Sequence, residues 1–400
     1  MMAAVSAAEY GAEVTLLERN ARPGRKLMIT GKGRCNITNN CDRDTLIRNC
    51  AVNPRFLYSA FSGFMPEDTM EFFEQRGVPL KTERGNRVFP QSDKAVDIVD
   101  AMAAACRKAG VRMQTGVRVD ALVLDDSGEK PRVTGVKAGE RVFPCDACII
   151  ATGGASYPVT GSTGDGYELA RSAGHSVTEI KPSLVPLVTE EYDCHEMCGL
   201  SLRNIGLKVF DPKGKQIYED FGELLFTHFG LSGPVILSAS SHMRQPEGCV
   251  VSIDLKPALD EEKLDARILR DFSQNLNREF RNSLGGLLPR SMEPVIVRRS
   301  GIDPSLRVNS VTREQRRALC ALLKDYRLTV KGFRPIDEAI VTSGGVEVKE
   351  ISAKDMSSKK ADGLYFAGEV IDVDAHTGGF NLQIALATGR LAGISAAQGV

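Results

Sequence analysis

The chain has 400 residues, 42% of them hydrophobic and 26% charged, with 51 Lys and Arg balanced by 51 Asp and Glu. That length exceeds what one core usually serves, so two or three domains are expected. Zero net charge argues against a general nucleic-acid surface, no apolar run is long enough to span a bilayer, and no basic-then-apolar leader opens the sequence, so a cytoplasmic protein with neither nucleic-acid nor membrane partners is expected.

Residues 1–10 read as an alanine-rich helix closed by Gly11. Residues 13–18 form an apolar strand that ends on Glu18, the pattern of the second half of a dinucleotide-binding βαβ unit. Glu18 is in place to bind the ribose hydroxyls of an adenine nucleotide. The first strand of such a unit and its G-x-G-x-x-G fingerprint are expected upstream of Met1, about 12 to 16 residues by the usual length of a strand plus that loop. In residues 22–39, Gly24, Gly31 and Gly33 alternate with Arg25, Lys26, Lys32 and Arg34. Flexible backbone interleaved with cations suits phosphate and flavin contact, although composition alone equally describes a solvated basic loop.

Phe56, Phe61, Phe64, Phe72 and Phe73 fall at helical spacing and predict core packing over residues 55–76. An amphipathic helix through Val96, Ile98, Val99, Met102 and Cys106 ends at Gly110. Residues 117–124 and 132–136 alternate like hairpin strands. Residues 147–154 are an apolar strand running into Ala151-Thr-Gly-Gly154, where glycine permits close backbone approach. Cys145 and Cys148 have redox spacing, but they stand at a strand start and read as structural thiols. The ten cysteines show no metal-ligand rhythm, and no metal is expected.

From Pro182 the pattern changes to short strands divided by turns, as a small β-barrel or sheet would be. Helices are expected over residues 261–280, 289–299 and 312–323, and the run Arg313-Glu-Gln-Arg-Arg317 reads as a solvated face. Residues 364–367 then form a strand ended by Gly368 and Glu369, with Asp372 and Asp374 in the loop beyond. The pair Gly378–Gly379 precedes Asn381, expected as an N-cap, and Leu382, Ala385, Leu386 and Leu391 mark a helix. Free backbone N–H groups and a dipole aimed at one point suit an electron-rich ring edge or an anion.

Several of these stretches resemble the BaiN/YhiN-like family of FAD-dependent oxidoreductases, within the two-dinucleotide-binding-domain flavoproteins. The resemblance is carried by Gly31-Lys-Gly-Arg-Cys-Asn-Ile-Thr-Asn39, by residues 151–166, by Phe226-Thr-His-Phe-Gly-Leu-Ser-Gly-Pro234 and by the C-terminal motif, and so covers essentially the whole chain. It implies an α/β fold: a Rossmann-like FAD-binding domain (residues 1–183 and 339–400) with an inserted β-barrel-like domain (184–258 and 326–338) and a small helical subdomain (259–325). It implies FAD contacts at Glu18, Arg19, Lys26, Gly33, Arg34, Cys35, Asn36, Val119, Thr152, Gly153, Gly154, Gly368, Glu369, Asp372, Gly378, Gly379, Asn381 and Leu382.

The resemblance further implies reduction of carbon–carbon double bonds conjugated to the 3-oxo group of bile-acid steroids, so the substrate is expected to be an apolar enone. NADH or NADPH would visit only transiently, because no second G-x-G-x-x-G is present. The developing enolate oxygen needs a hydrogen-bond donor, and Tyr157, His228 and His376 are the candidates. Each also has a structural reading: Tyr157 as a turn anchor, His228 as a cap for the helix after it. Two other readings stand beside this one, an amine or aminoacetone oxidase and a non-catalytic or RNA-associated flavoprotein.

Overall fold

The computed structural model describes residues 1–399 except Arg244 and Asn275. The chain forms two compact units, one of Met1–Ser183 with Ile336–Val400 and one of Leu184–Pro335.

The first unit is built on parallel strands. Thr15–Glu18 pairs with Arg112–Thr115, and Leu364–Phe366 pairs with Cys148–Ile150. The alanine-rich helix Met2–Glu9 is buried along Met2–Ala7 and packs on the C-terminal helix Phe380–Gln398. Small residues let the two backbones close up: a Cβ added to Gly393 would lie 2.3 Å from the Ala3 carbonyl oxygen. A helix of this composition is therefore stabilised mainly by what it packs against.

The phenylalanine-rich stretch is not one helix. It breaks into a 3-10 turn Pro54–Leu57 and helices Tyr58–Gly63 and Pro66–Glu74. Pro66 clashes with a helical residue before it, so Met65 is extended (φ −87, ψ 172) and Phe64 is extended too. All five phenylalanines are buried as expected. The break has a second effect, because it frees the Phe64 carbonyl to accept a hydrogen bond from Gln383 Nε2 at 2.9 Å.

The second unit contains a closed six-stranded antiparallel barrel. Its strand order is Leu187–Thr189, Gly230–Ser232, Gln216–Thr227, Ser201–Phe210, Val250–Asp254 and Tyr326–Phe333. Alternation aims Ile205, Leu207 and Val209 inward and leaves Lys208 outside. Helices Glu261–Ser273, Glu293–Ser300 and Arg313–Lys324 bury Leu264, Ile268, Val295, Leu319 and Leu323 in the same apolar cluster as the barrel's Val251 and Leu328. Asp260 caps the first of these helices, and a Thr312–Gln315 capping box starts the last. The helix expected over residues 261–280 stops at Ser273. The chain then runs antiparallel to residues 304–308, with Phe280 N donating to Leu306 O at 2.8 Å and Val308 N to Arg278 O at 3.0 Å. Among the described residues no helix is long and apolar enough to cross a membrane.

Candidate functional site

In the first unit, three glycine-bearing segments far apart in sequence are sewn together by side chains. The first is residues 25–39. Its helix is interrupted at Thr30, Gly31 and Lys32, and Gly31, Lys32, Gly33 and Cys35 all have φ between 57 and 82. A non-glycine residue there costs conformational energy, so the surroundings must hold the turn. Cys35 is fully buried, and burial pushes its thiol up to about 12, which marks it as packing and not as a nucleophile.

The second segment is residues 152–158. The hydroxyl of Thr342 accepts from the backbone N–H groups of Ala155 (2.8 Å) and Ser156 (3.1 Å). A Cβ on Gly154 would fall 2.3 Å from that same hydroxyl oxygen, so glycine is required. The third segment is residues 368–383. Glu369 accepts from the Thr342 N–H at 2.8 Å and from Lys26 Nζ at 2.7 and 2.9 Å, while Lys26 Nζ also donates to Ser156 Oγ at 2.8 Å. One ion pair, about four-fifths buried on each side, thus ties all three segments.

A second set of ties joins the first and third segments. Gly379 starts the long helix at φ 100, and a Cβ on it would lie 2.3 Å from the Thr38 carbonyl oxygen. Asn39 Nδ2 donates to the Gly378 carbonyl at 3.0 Å. Gln383 is completely buried; its Oε1 accepts from Thr38 Oγ1 (2.7 Å) and Thr69 Oγ1 (2.8 Å). Asn39 and Gln383 were not among the expected site residues. A buried glutamine one turn into an apolar helix was the available signal.

Asn381 is not the N-cap. Gly379 holds that position in a left-handed conformation, and Asn381 lies within the first turn. Its amide accepts from Ala375 N at 2.9 Å and donates to Ala375 O at 2.7 Å, pinning the loop ahead of the helix. Leu382 is partly buried against the core of this unit, as is Val119, which lies between two strands.

Three expected contacts are engaged elsewhere in the protein. Glu18 Oε1 accepts from Asn20 N and Nδ2, both at 2.8 Å. Arg19 pairs with Asp165 at 2.9 Å. The Arg34 guanidinium is held by Glu83 and Asp93 and lies over the Phe89 ring at 4.1 Å, so its charge is compensated within the chain. Gly153 (φ 77) and Gly368 (φ 75) use the left-handed region, and Thr152 is exposed at the strand end.

Two carboxyl groups follow Glu369. Asp372 accepts from Asn53 Nδ2 at 3.2 Å, and burial raises its titration. Asp374 is 2% exposed, and burial together with the neighbouring Asp372 and Glu369 moves it up to about 6. Of the candidate donors, Tyr157 stands at φ 52 at the head of a 3-10 turn, with Thr160 donating back to its carbonyl. His376 is held through its N–H by Asn49 O at 2.9 Å and through Nδ1 by Asn49 Oδ1 at 3.3 Å. His228 belongs to the second unit. It is exposed, sits edge-on to Phe229, and does not cap the following helix, whose N-cap is Gly233.

A flavin dinucleotide fits these residues. Among the described residues, Asn36 Oδ1 is a buried polar atom without a hydrogen-bond partner, the condition that a bound polar group relieves. The helix start behind Gly379 presents N–H groups and a positive dipole end. No cluster of three metal-ligating side chains occurs among the described residues.

Comparison with known proteins agrees. The family described as HI0933-like protein Rossmann domain matches residues 1–395. The chain is 32% identical over 411 aligned positions to a 3-dehydro-bile acid delta(4,6)-reductase of Clostridium scindens, covering 100% of this chain and 96% of the relative. It is 30% identical to a ribosomal RNA dihydrouridine synthase of Escherichia coli K12, covering 96% and 92%. Among solved structures, a 3-ketosteroid delta1-dehydrogenase from Sterolibacterium denitrificans has a TM-score of 0.50 at 13% identity, covering 99% and 97%; that likeness speaks for the fold alone.

Proposed function

The chain belongs to the HI0933-like Rossmann family and is a flavoprotein oxidoreductase, and from that premise we propose that it uses NADH or NADPH to reduce a carbon–carbon double bond conjugated to a carbonyl. The lead substrate class is a 3-oxo-4-ene steroid of the bile-acid type. The reading rests on the convergence of residues 25–39, 152–158 and 368–383 through Lys26, Glu369 and Gln383.

Bound FAD supplies the hydride chemistry. The chain's own residues do the rest. Gly154 and Gly379 admit Thr342 and the Thr38 backbone, and Lys26 with Glu369 fixes the spacing of the three segments. The helix start after Gly379 would favour negative charge on a ring bound there. Asp372 would hold the ribityl and pyrophosphate portion of the cofactor. Tyr157 or His376 donates to the carbonyl oxygen as it gains charge. Asp374, protonated in part near neutral pH, holds a proton within the same segment.

The test is oxygen-free consumption of NADH or NADPH by the FAD-loaded protein, with and without a 3-oxo-4-ene steroid, followed by mass analysis of the product. Enone-dependent consumption with a product two mass units heavier is expected. Oxygen uptake with an amine and release of hydrogen peroxide, without NAD(P)H consumption or enone reduction, would support the amine oxidase reading and sink this one.

A second reading has its own support. The uracil ring carries a double bond conjugated to a carbonyl, so the same chemistry would reduce uridine in RNA. Two relatives carry the name ribosomal RNA dihydrouridine synthase, at 30% and 29% identity.

A further inference from the structure

His175 is a buried ionisable group that the cofactor site leaves unused. It follows the helix Asp165–Ser172, and its side chain is fully buried. Its Nε2 lies 2.6 Å from Ser358 Oγ and its Nδ1 lies 3.5 Å from Glu350 Oε2. Its ring stands edge-on to Phe366 at 4.8 Å. Serine, histidine and glutamate in this order have the form of a nucleophilic triad, but the serine oxygen is saturated. It accepts from the backbone N–H groups of Lys360 and Ala361, both at 2.9 Å, which leaves no lone pair for attack.

Saturation fixes the protons instead. The Ser358 hydroxyl has only its own hydrogen to offer, so Nε2 accepts it and the neutral ring carries its hydrogen on Nδ1, toward Glu350. A proton added at Nε2 meets an oxygen that has no room for it. Two charged groups face the ring: Glu350 favours the charged form, and Lys360, paired with Glu350 at 3.4 Å, opposes it. Phe366 is uncharged, and Lys359 turns away to the Lys349 carbonyl at 2.9 Å. Burial holds the imidazole below its ordinary value of 6.5.

The ring stands beside the strand that leads into the third cofactor segment. Ser358 N donates to Leu364 O at 2.8 Å and Phe366 N to Met356 O at 3.1 Å. The turn tied to His175 therefore lines one edge of the strand Leu364–Phe366, whose other edge pairs with Cys148–Ile150. Gly368 and Glu369 follow directly. Within the turn, Met356 is fully buried at φ 62, a left-handed conformation that costs energy, so the turn stays closed only through its ties.

We propose that His175 is a proton-operated latch: neutral, it keeps residues 356–366 closed and the flavin-binding segment 368–383 in place, and protonated, it releases the turn and with it the cofactor. This role rests on residues 368–383 holding FAD and is independent of which substrate is reduced. His175 acts through the Ser358 turn and is a positioning residue. Acid favours release, because the open turn binds the proton more readily than the closed one. With an ordinary histidine in the open turn and a neutral ring in the closed one, opening grows by up to roughly eightfold from pH 7 to 5.5. Asp374 works in the opposite sense, since folding raises its affinity for a proton, and does not imitate the effect.

The test follows the full-length protein between pH 7 and 5.5 by two readouts. One is the rate of flavin release from the FAD-loaded protein, seen as recovered flavin fluorescence. The other is hydrogen-exchange protection of the Lys360 and Ala361 N–H groups, with and without FAD. In wild type, release should quicken and protection should fall together, by roughly five- to eightfold. H175Q, whose side-chain oxygen still accepts from Ser358 but takes up no proton, should respond to neither. If H175Q does not fold, the ring nitrogen shifts of His175 in wild type decide: a neutral ring with its hydrogen on Nδ1 at pH 6 supports the latch, and any other state overturns it. Release or protection that is constant with pH in wild type overturns the proposal, as does an acid response that H175Q keeps in full. Lost protection without faster flavin release overturns the coupling to the cofactor. Neither readout depends on enone reduction, so failure of that activity and failure of the latch are distinguishable.

Discussion

The two units rely on buried polar groups to different degrees, the second chiefly through Asp193 with Arg298, Arg299 and Tyr326. In the first, buried polar side chains cross-tie segments more than 300 residues apart, as with Lys26 and Glu369 or Thr38 and Gln383. In the second, the barrel and its helices share an apolar core, and most charges stay on the outside. A buried polar network fixes geometry at the risk of a large cost when one member is lost. An apolar core tolerates exchange on its surface. The difference teaches where to look for chemistry: in the unit whose interior depends on hydrogen bonds.

The comparison breaks most sharply at Gly379. G379A puts a Cβ into the Thr38 carbonyl at a left-handed φ, where both clash and strain act. A loss of about 3 kcal/mol or more is expected, with loss of bound flavin, read by thermal unfolding and visible absorbance. Next is K26M, which strips Glu369 of its cation in a largely buried setting. About 2 kcal/mol should be lost, and K26M/E369Q should recover part of it, because removing the stranded charge removes its desolvation cost. Full additivity of the two single variants would show that the pair is not coupled.

Asp374 gives the pH dependence. Its folded carboxyl titrates at about 6, above its ordinary value of 3.8, so the folded state holds an extra proton between those two values. Stability should therefore be highest below pH 4 as far as this group is concerned, and fall by up to about 3 kcal/mol as pH rises through 6. D374N should flatten that window in urea titrations at pH 4 to 7.5; an unchanged slope would exclude Asp374 as its source. The smallest effect belongs to the second unit. R313S/R317S should shift stability by no more than about 0.5 kcal/mol, because neither side chain is ion-paired or buried.

Much of the fold is legible in the residues. Alternation in 207–210 and the apolar run at 148–150 specify strands, and glycines at 153–154 and 378–379 specify close approach, because period and backbone freedom are local properties. The break at Pro66 follows from the local rule for residues before proline, yet the phenylalanine spacing hid it. Asn381 misled for a related reason: asparagine is a good N-cap in isolation, but the preceding glycine pair had already taken the turn.

The sequence by itself thus determined the kind of protein this is: a Rossmann-type FAD-binding fold with a β-rich insertion, and the glycine-bearing segments that converge in its first unit. Only the tertiary structure decided which partner each polar side chain takes. Arg34 is compensated by Glu83 and Asp93, Gln383 is buried against Thr38 and Thr69, and Asp374 is raised by burial. The reason is one of range. Propensity and periodicity act over a few residues, whereas desolvation and charge pairing depend on what the fold brings within a few ångströms from hundreds of residues away.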